Sequence, residues 1–302
     1  MTTIPGAVTT EDRDTPGHEV RTAIAMFLTA AAFTVLFAKP AVLLAQDWWT
    51  DPEAGHGLLL APAALYLAWK RGLVSAPRAP QPILGGFIIA VSVLFRTASE
   101  LAAELFTMRG SMILALVGLT TFYLGFRQVL AWWLPFLLLG LAVPLPELIR
   151  SAIALPLQYK ASTLGAALLE WRHVPVRLAG NIIQLPGHKL FVTEACSGLR
   201  SLTALLSLGV LMGGLWLRLP ATRVLLIALA VPIAVLINGV RVFLTGFLVF
   251  FVDPKLGDGF MHLTEGWLLF VVSLTLVGCV AWLLGIIERA LQRPLEPDAP
   301  IR

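Results

Sequence analysis

Long apolar runs, broken by short polar punctuation, dominate the chain. At about 20 apolar residues per bilayer crossing, they resolve into eight segments: residues 23–38, 57–69, 82–95, 111–126, 130–145, 197–217, 221–251 and 265–287. The first run extends past Lys39-Pro40, and the second is short for a span. Between the fifth and sixth runs the pattern changes. ELIRSAIALPLQYKASTLGAALLEW carries apolar residues at helical spacing with interspersed charge, which predicts an interfacial amphipathic helix. NIIQL-PGH-KLFVT follows, two β-rich runs about a Pro-Gly turn, which predicts a small hairpin. The expected fold is therefore an all-α integral membrane protein. It has about eight transmembrane helices, with a short external amphipathic helix and a β-hairpin before the sixth span. Residues 23–288 form one polytopic membrane domain between cytoplasmic tails at 1–22 and 289–302, the latter Pro-rich, polar and expected to be disordered. No internal repeat is visible.

Composition supports this class. The 302 residues are 58% hydrophobic and 13% charged, roughly half the charged share of a soluble domain. The net charge of +4 needs no nucleic acid, because basic residues flanking membrane helices on the cytoplasmic side account for it. The N-terminus has no basic n-region and no small-residue cleavage site, so no removable signal peptide is expected.

Charge also orients the chain. With both ends inside, the inner loops hold Lys70, Arg71, Arg78, Arg127, Arg218 and Arg223, and the tails add Arg13, Arg21, Arg289, Arg293 and Arg302. The short outer loops hold Lys39, Arg96, Arg109 and Lys255 beside seven acids: Asp47, Asp51, Glu53, Glu100, Glu104, Asp253 and Asp258. The positive-inside rule favours this arrangement.

In that topology three chemically useful groups share one depth. Cys196 falls at the outer end of the sixth span. Arg241 is twenty residues beyond Ala221, about 30 Å along a helix, which is one hydrocarbon thickness. His262 stands just before the eighth span. If Thr193 is the N-cap, Cys196 lies in a first turn, where the helix dipole favours a thiolate. Gly198 leaves room for a substrate backbone. The opposing reading of Cys196 is a buried structural thiol. Arg241, with Asn238 at i−3, is either paired or lining a wet cavity, or else snorkelling to the outer interface. His262, with Glu265 available to orient it, is otherwise an ordinary loop histidine. Cys279 lies mid-run and reads as a small buried hydrophobe. The other histidines, at 18, 56, 173 and 188, fall outside the spans. With no HExxH and no clustered Cys/His spacing, neither a metal nor a cofactor is expected. As a set, Cys, His and Arg suit acyl transfer: a nucleophile, a proton donor and a fixed positive charge for the oxyanion.

EACSGLRSL (194–202), NGVR (238–241) and HLTEG (262–266) resemble, in order and spacing, the three late-span motifs of the exosortase/archaeosortase family of membrane transpeptidases. The resemblance implies a catalytic triad of Cys196, Arg241 and His262, facing the periplasm from a bacterial inner membrane. Glu194, Ser197, Gly198, Arg200, Asn238 and Glu265 would support it, and histidine as the third residue points to the bacterial branch. It also implies the partners: secreted proteins with a C-terminal sorting tail, made of a Pro-Glu-Pro-like motif, a membrane helix and a basic cluster. The enzyme would cleave near the motif through a thioester, then transfer the product to a cell-surface glycan or lipid. Two other classes compete. One is a polytopic transporter or channel using Arg241 and Asn238 as a gate. The other is an assembly factor for polysaccharide export in which Cys196 is inert.

Overall fold

The computed structural model describes residues 16–51, 53–74, 80–192, 199–253 and 260–291. Ten helices and one small sheet follow in the order α1 (Pro16–Thr50), α2 (Gly57–Arg71), α3 (Pro82–Leu101), α4 (Leu105–Leu124), α5 (Phe126–Ala131), α6 (Trp133–Leu141), α7 (Glu147–Trp171), β1 (Arg177–Ala179), β2 (Ile182–Leu185), β3 (His188–Phe191), α8 (Leu199–Trp216), α9 (Pro220–Phe251) and α10 (Phe260–Leu291). Among the described residues five helices are long and apolar enough to cross a membrane, within α1, α3, α4, α9 and α10. Large apolar side chains stand bare around them, with Val35 82%, Ile83 90% and Leu101 90% exposed. Such a surface is stable against acyl chains, not against water.

The remaining expected spans fall on α2, α8 and the α5–α6 pair. α2 has 15 residues and α8 has 18. The fifth run is divided into α5 and α6 at Trp132. Pro135 explains the break: it has no N–H to give the Ala131 carbonyl four residues back. The Arg71 guanidinium takes that carbonyl instead, at 2.7 Å. Gln128 Nε2 and Trp132 Nε1 both donate to the Gly72 carbonyl at 3.1 Å, and Gln128 Oε1 accepts from Val74 N at 2.9 Å. The end of α2 is thereby tied to the break. At the other terminus α10 runs through Arg289 to Leu291.

The segment between α6 and α8 also differs from its expected form. α7 is a helix, but it is not a separate interfacial one: it packs along α9. Its buried stripe is Ala154, Gln158, Ala161, Gly165 and Leu169, at i, i+4, i+7 spacing, and the small residues in it let the two backbones approach. At Gly239 of α9 an added Cβ would lie 2.7 Å from Leu164 Cβ. The outer side of α7 is apolar first, with Leu148 and Leu155 exposed, and polar later, with Lys160, Thr163 and Glu170 exposed. That gradient suits a helix leaving the interface for water. β2 and β3 pair antiparallel across Pro186-Gly187, and β1, which the sequence pattern did not predict, pairs with β2. The sheet rests on both helices. Ile183, Leu185 and Val192 are buried in one cluster with Ala161 and Leu169 of α7 and with Val242 and Val249 of α9.

One end of the late bundle is fixed by a buried carboxylate. Glu288 of α10, 3% exposed, accepts from Arg218 N and Leu219 N, both at 2.9 Å, and from the Thr222 hydroxyl. These donors include the free N–H groups that begin α9, so a residue of α10 caps α9. Nearby, Arg71 and Arg223 both stand over the Trp133 ring. At the opposite end the charges are paired. Arg109 meets Asp47 at 2.7 Å, Arg96 meets Glu100 at 2.6 Å, and Arg150 meets Glu53 at 2.8 Å.

Candidate active site

The Glu288 cradle gives α8, α9 and α10 a common base from which heights along the bundle follow at 1.5 Å per residue. Leu199, the first described residue of α8, lies about 27 Å above Leu217. Arg241 lies about 31 Å above Pro220, and the His262 backbone about 39 Å above Glu288. All three therefore belong to the far end of the bundle, within about three helical turns of one another. The sequence pattern put His262 in a loop before the eighth span. It is instead in the first turn of α10, because the apolar pattern runs back through Phe260 and Met261. The structure describes the backbone of His262, Glu265 and Arg200 but not their side chains. Thr193, Glu194, Cys196, Ser197 and Gly198 lie outside the described residues, and with them the expected N-cap.

Both flanks of the Cys196 motif are described, and both meet α9. On the upstream side Val192 is 1% exposed, in the same cluster as Val242, the neighbour of Arg241. On the downstream side Leu202 and Leu205 of α8 pack with Ala230 and Ala234 of α9 and with Val277 and Ala281 of α10. Arg241 falls between these two cores along α9. Helical periodicity also puts it on the Ala230/Ala234 stripe, eleven and seven residues on, which is the side of α9 that α8 and α10 cover. Arg241 is half-buried, and its carbonyl accepts from Thr245 Oγ1 at 3.0 Å. Asn238, one turn earlier, is 5% exposed.

Two residues that sequence reasoning missed hold the upstream flank. Asn181 O accepts from Val192 N at 3.0 Å, and Asn181 Nδ2 donates back to Val192 O at 3.1 Å. The same Nδ2 lies 3.3 Å from Gln158 Oε1, on the buried face of α7. The chain is thus clamped on both sides one residue before the Thr193–Gly198 segment. The sequence held a signal for Asn181, since a Gly-Asn pair between two β-rich runs marks a tight turn. Gln158 in a stripe of alanines had no such signal.

Three placements elsewhere bear on the site. Cys279 is exposed on the side of α10, not buried as its place in an apolar run suggested. His56, between α1 and α2, has Nε2 3.2 Å from the Leu141 carbonyl, and burial holds its pKa below the ordinary 6.5. Among the described residues no three His, Cys, Asp or Glu side chains gather as a metal site would require. Searches of curated proteins and of solved structures returned no match. A family match covers residues 48–279, from the end of α1 to Cys279, so that it takes in the sheet and all three late motifs. Its description is "Transmembrane exosortase", and the chain belongs to that family.

Proposed function

We propose that the chain is a membrane-embedded cysteine transpeptidase that cleaves C-terminal sorting tails from secreted proteins. The observation that carries this reading is the convergence on α9. The cores flanking Arg241 are those that seat the residues before and after the Cys196 motif, and α10 brings the His262 turn to the same end. In the proposed reaction the Cys196 thiolate attacks the scissile carbonyl. Arg241 carries the fixed charge that stabilises the resulting oxyanion. The C–N bond then breaks, His262 gives its proton to the leaving amine, and a thioester remains on Cys196. An acceptor nucleophile, on a cell-surface glycan or lipid, then gives its proton to the now neutral His262 as it attacks the thioester; the C–S bond breaks and the thiolate and the protonated histidine are restored. Glu194, Ser197, Gly198, Arg200, Asn238 and Glu265 are proposed to shape and orient this site. In the proposed setting it faces the periplasm from a bacterial inner membrane.

The test is processing of a co-expressed secreted protein that carries a Pro-Glu-Pro-like motif, a membrane helix and a basic cluster. Cys196→Ala should leave only full-length substrate while the enzyme stays folded in membranes. Cys279→Ala should process normally. Full processing by Cys196→Ala ends the thiol mechanism.

A further inference from the structure

The end of the bundle opposite the candidate site carries a feature that the proposed chemistry does not use. A groove of ≈ 740 Å³ lies between α8 and α10. Met212, Leu274, Gly278 and Trp282 give it apolar walls, and Arg218 and Arg289 line it as well. From Leu274 to Arg289 along α10 is about 22 Å, so the apolar stretch runs inward from the charged end by more than one leaflet, about 15 Å. Both arginines are exposed, and neither guanidinium has an ion-pair partner among the described residues. The adjacent carboxylate, Glu288, is occupied by Arg218 N, Leu219 N and the Thr222 hydroxyl. Inside the groove, a Cβ added at Gly278 meets nothing within 4 Å.

We propose that this groove binds one anionic glycerophospholipid, its phosphate held between Arg218 and Arg289 and an acyl chain laid along Leu274, Gly278 and Trp282. The pattern is that of an amphiphile: two cations with no ion-pair partner among the described residues, beside a Glu288 that also lines the groove but is taken up by Arg218 N, Leu219 N and the Thr222 hydroxyl, and an uncharged slot along the bilayer normal. Guanidinium groups bind phosphate oxygens through paired, charge-assisted hydrogen bonds. A membrane helix ending in basic residues would meet repulsion at the same two arginines, so charge complementarity selects the lipid. The lipid would bridge α8 to α10 beside the Glu288 cradle that caps α9.

The test uses the purified full chain, exchanged into detergent and offered equal amounts of phosphatidylglycerol and phosphatidylcholine, with retained lipid read by native mass spectrometry. The expected result is one phosphatidylglycerol retained in preference. At about fivefold per basic residue near a charged lipid surface, Arg218→Gln with Arg289→Gln should lower that preference about twenty-five-fold. Gly278→Phe, whose ring enters open space, should displace the lipid without loss of the folded state. A second readout needs no substitution in the groove. In Cys196→Ala protein, phosphatidylglycerol should slow alkylation of Cys279, which lines the same groove, and phosphatidylcholine should not. Equal retention of the two lipids overturns the proposal. So does unchanged preference in the double arginine variant, or equal protection of Cys279 by both lipids.

Discussion

At the residue scale the sharpest question is what Arg241 does. If it holds the oxyanion, charge alone will not suffice, because lysine lacks the planar fork. Loss of one oxyanion donor typically costs about 10²–10³ in rate. Arg241→Lys should therefore retain at most a small residual processing rate, and Arg241→Ala essentially none, with expression normalised. A residue that merely snorkels would tolerate lysine almost fully, and near-normal cleavage by Arg241→Ala removes it from the mechanism. Asn181 poses a different test, since it acts on Val192 and not on substrate. Asn181→Ala removes hydrogen bonds worth about 1 kcal/mol each, a modest loss by thermal unfolding. Release of the clamp beside Cys196 should cost processing about tenfold or more. Processing that falls no further than stability would make Asn181 a purely structural residue. His56 gives a pH signature. Its folded pKa lies below its unfolded value because burial disfavours the charged ring, so the unfolded chain binds more protons as pH falls. Stability should be level above about 6.5 and decline below it, and His56→Gln should flatten that decline in melting curves from pH 7.5 to 5. An unchanged slope in the variant would remove His56 as its source. Cys196, Arg241 and His262 were candidates on sequence alone because each is chemically out of place in apolar sequence. Gln158 gave no signal and Asn181 only that of a turn, because their role beside the Cys196 motif exists only once β2, β3 and α7 are assembled.

At the element scale the spans with uninterrupted apolar runs were legible, most closely α9, expected over 221–251 and observed as Pro220–Phe251, while α3 and α4 each extend six residues beyond one expected end. The fifth run was not, because hydropathy is indifferent to a missing N–H and the break at Trp132 turns on Pro135. α7 was recognised as a helix but misplaced. Its amphipathic pattern said only that one face was covered, and either a lipid surface or another helix satisfies that. Its partner was written in glycines that hydropathy scores as neutral. Gly239 receives Leu164 and Gly246 receives Leu169, with added Cβ atoms 2.7 and 2.8 Å from their nearest neighbours. Gly239→Ala should therefore force α7 from α9, at about 1–3 kcal/mol. Gly86→Ala in α3, where a Cβ meets nothing within 4 Å, should stabilise by about 0.5–1 kcal/mol through helix propensity. Melting temperatures in detergent give both signs in one experiment. Equal, small shifts would mean that α7 and α9 do not approach so closely.

At the scale of the whole molecule the two ends of the bundle differ in how they treat positive charge. One end holds Lys70, Arg71, Arg127, Arg218, Arg223 and Arg289, and its buried carboxylate, Glu288, is used to cap α9. The other end buries Arg96 and Arg109 at 6% and 3% exposure, each ion-paired to an acid, and ties Arg150 to Glu53. Those basic groups are held by carboxylates, whereas none of the first set has a carboxylate partner among the described residues, and all flank the short connections at that end, where Lys and Arg resist translocation. We propose the orientation that the positive-inside rule favours, with the Glu288 end in the cytoplasm and the Val192–Arg241–His262 end outside. It also makes sense of α7 and the sheet, which join the bundle on the side where α9, at 32 residues or about 48 Å, outruns a hydrocarbon core of about 30 Å. Reporter fusions after Arg71 and Arg218 should be active only as cytoplasmic reporters, and fusions after His188 and Asp253 only as external ones. The reverse pattern at both Arg218 and Asp253 would turn the candidate site to the cytoplasm, away from any substrate already secreted. The proposed transpeptidase would then fail on topology alone, whatever its residues could do chemically.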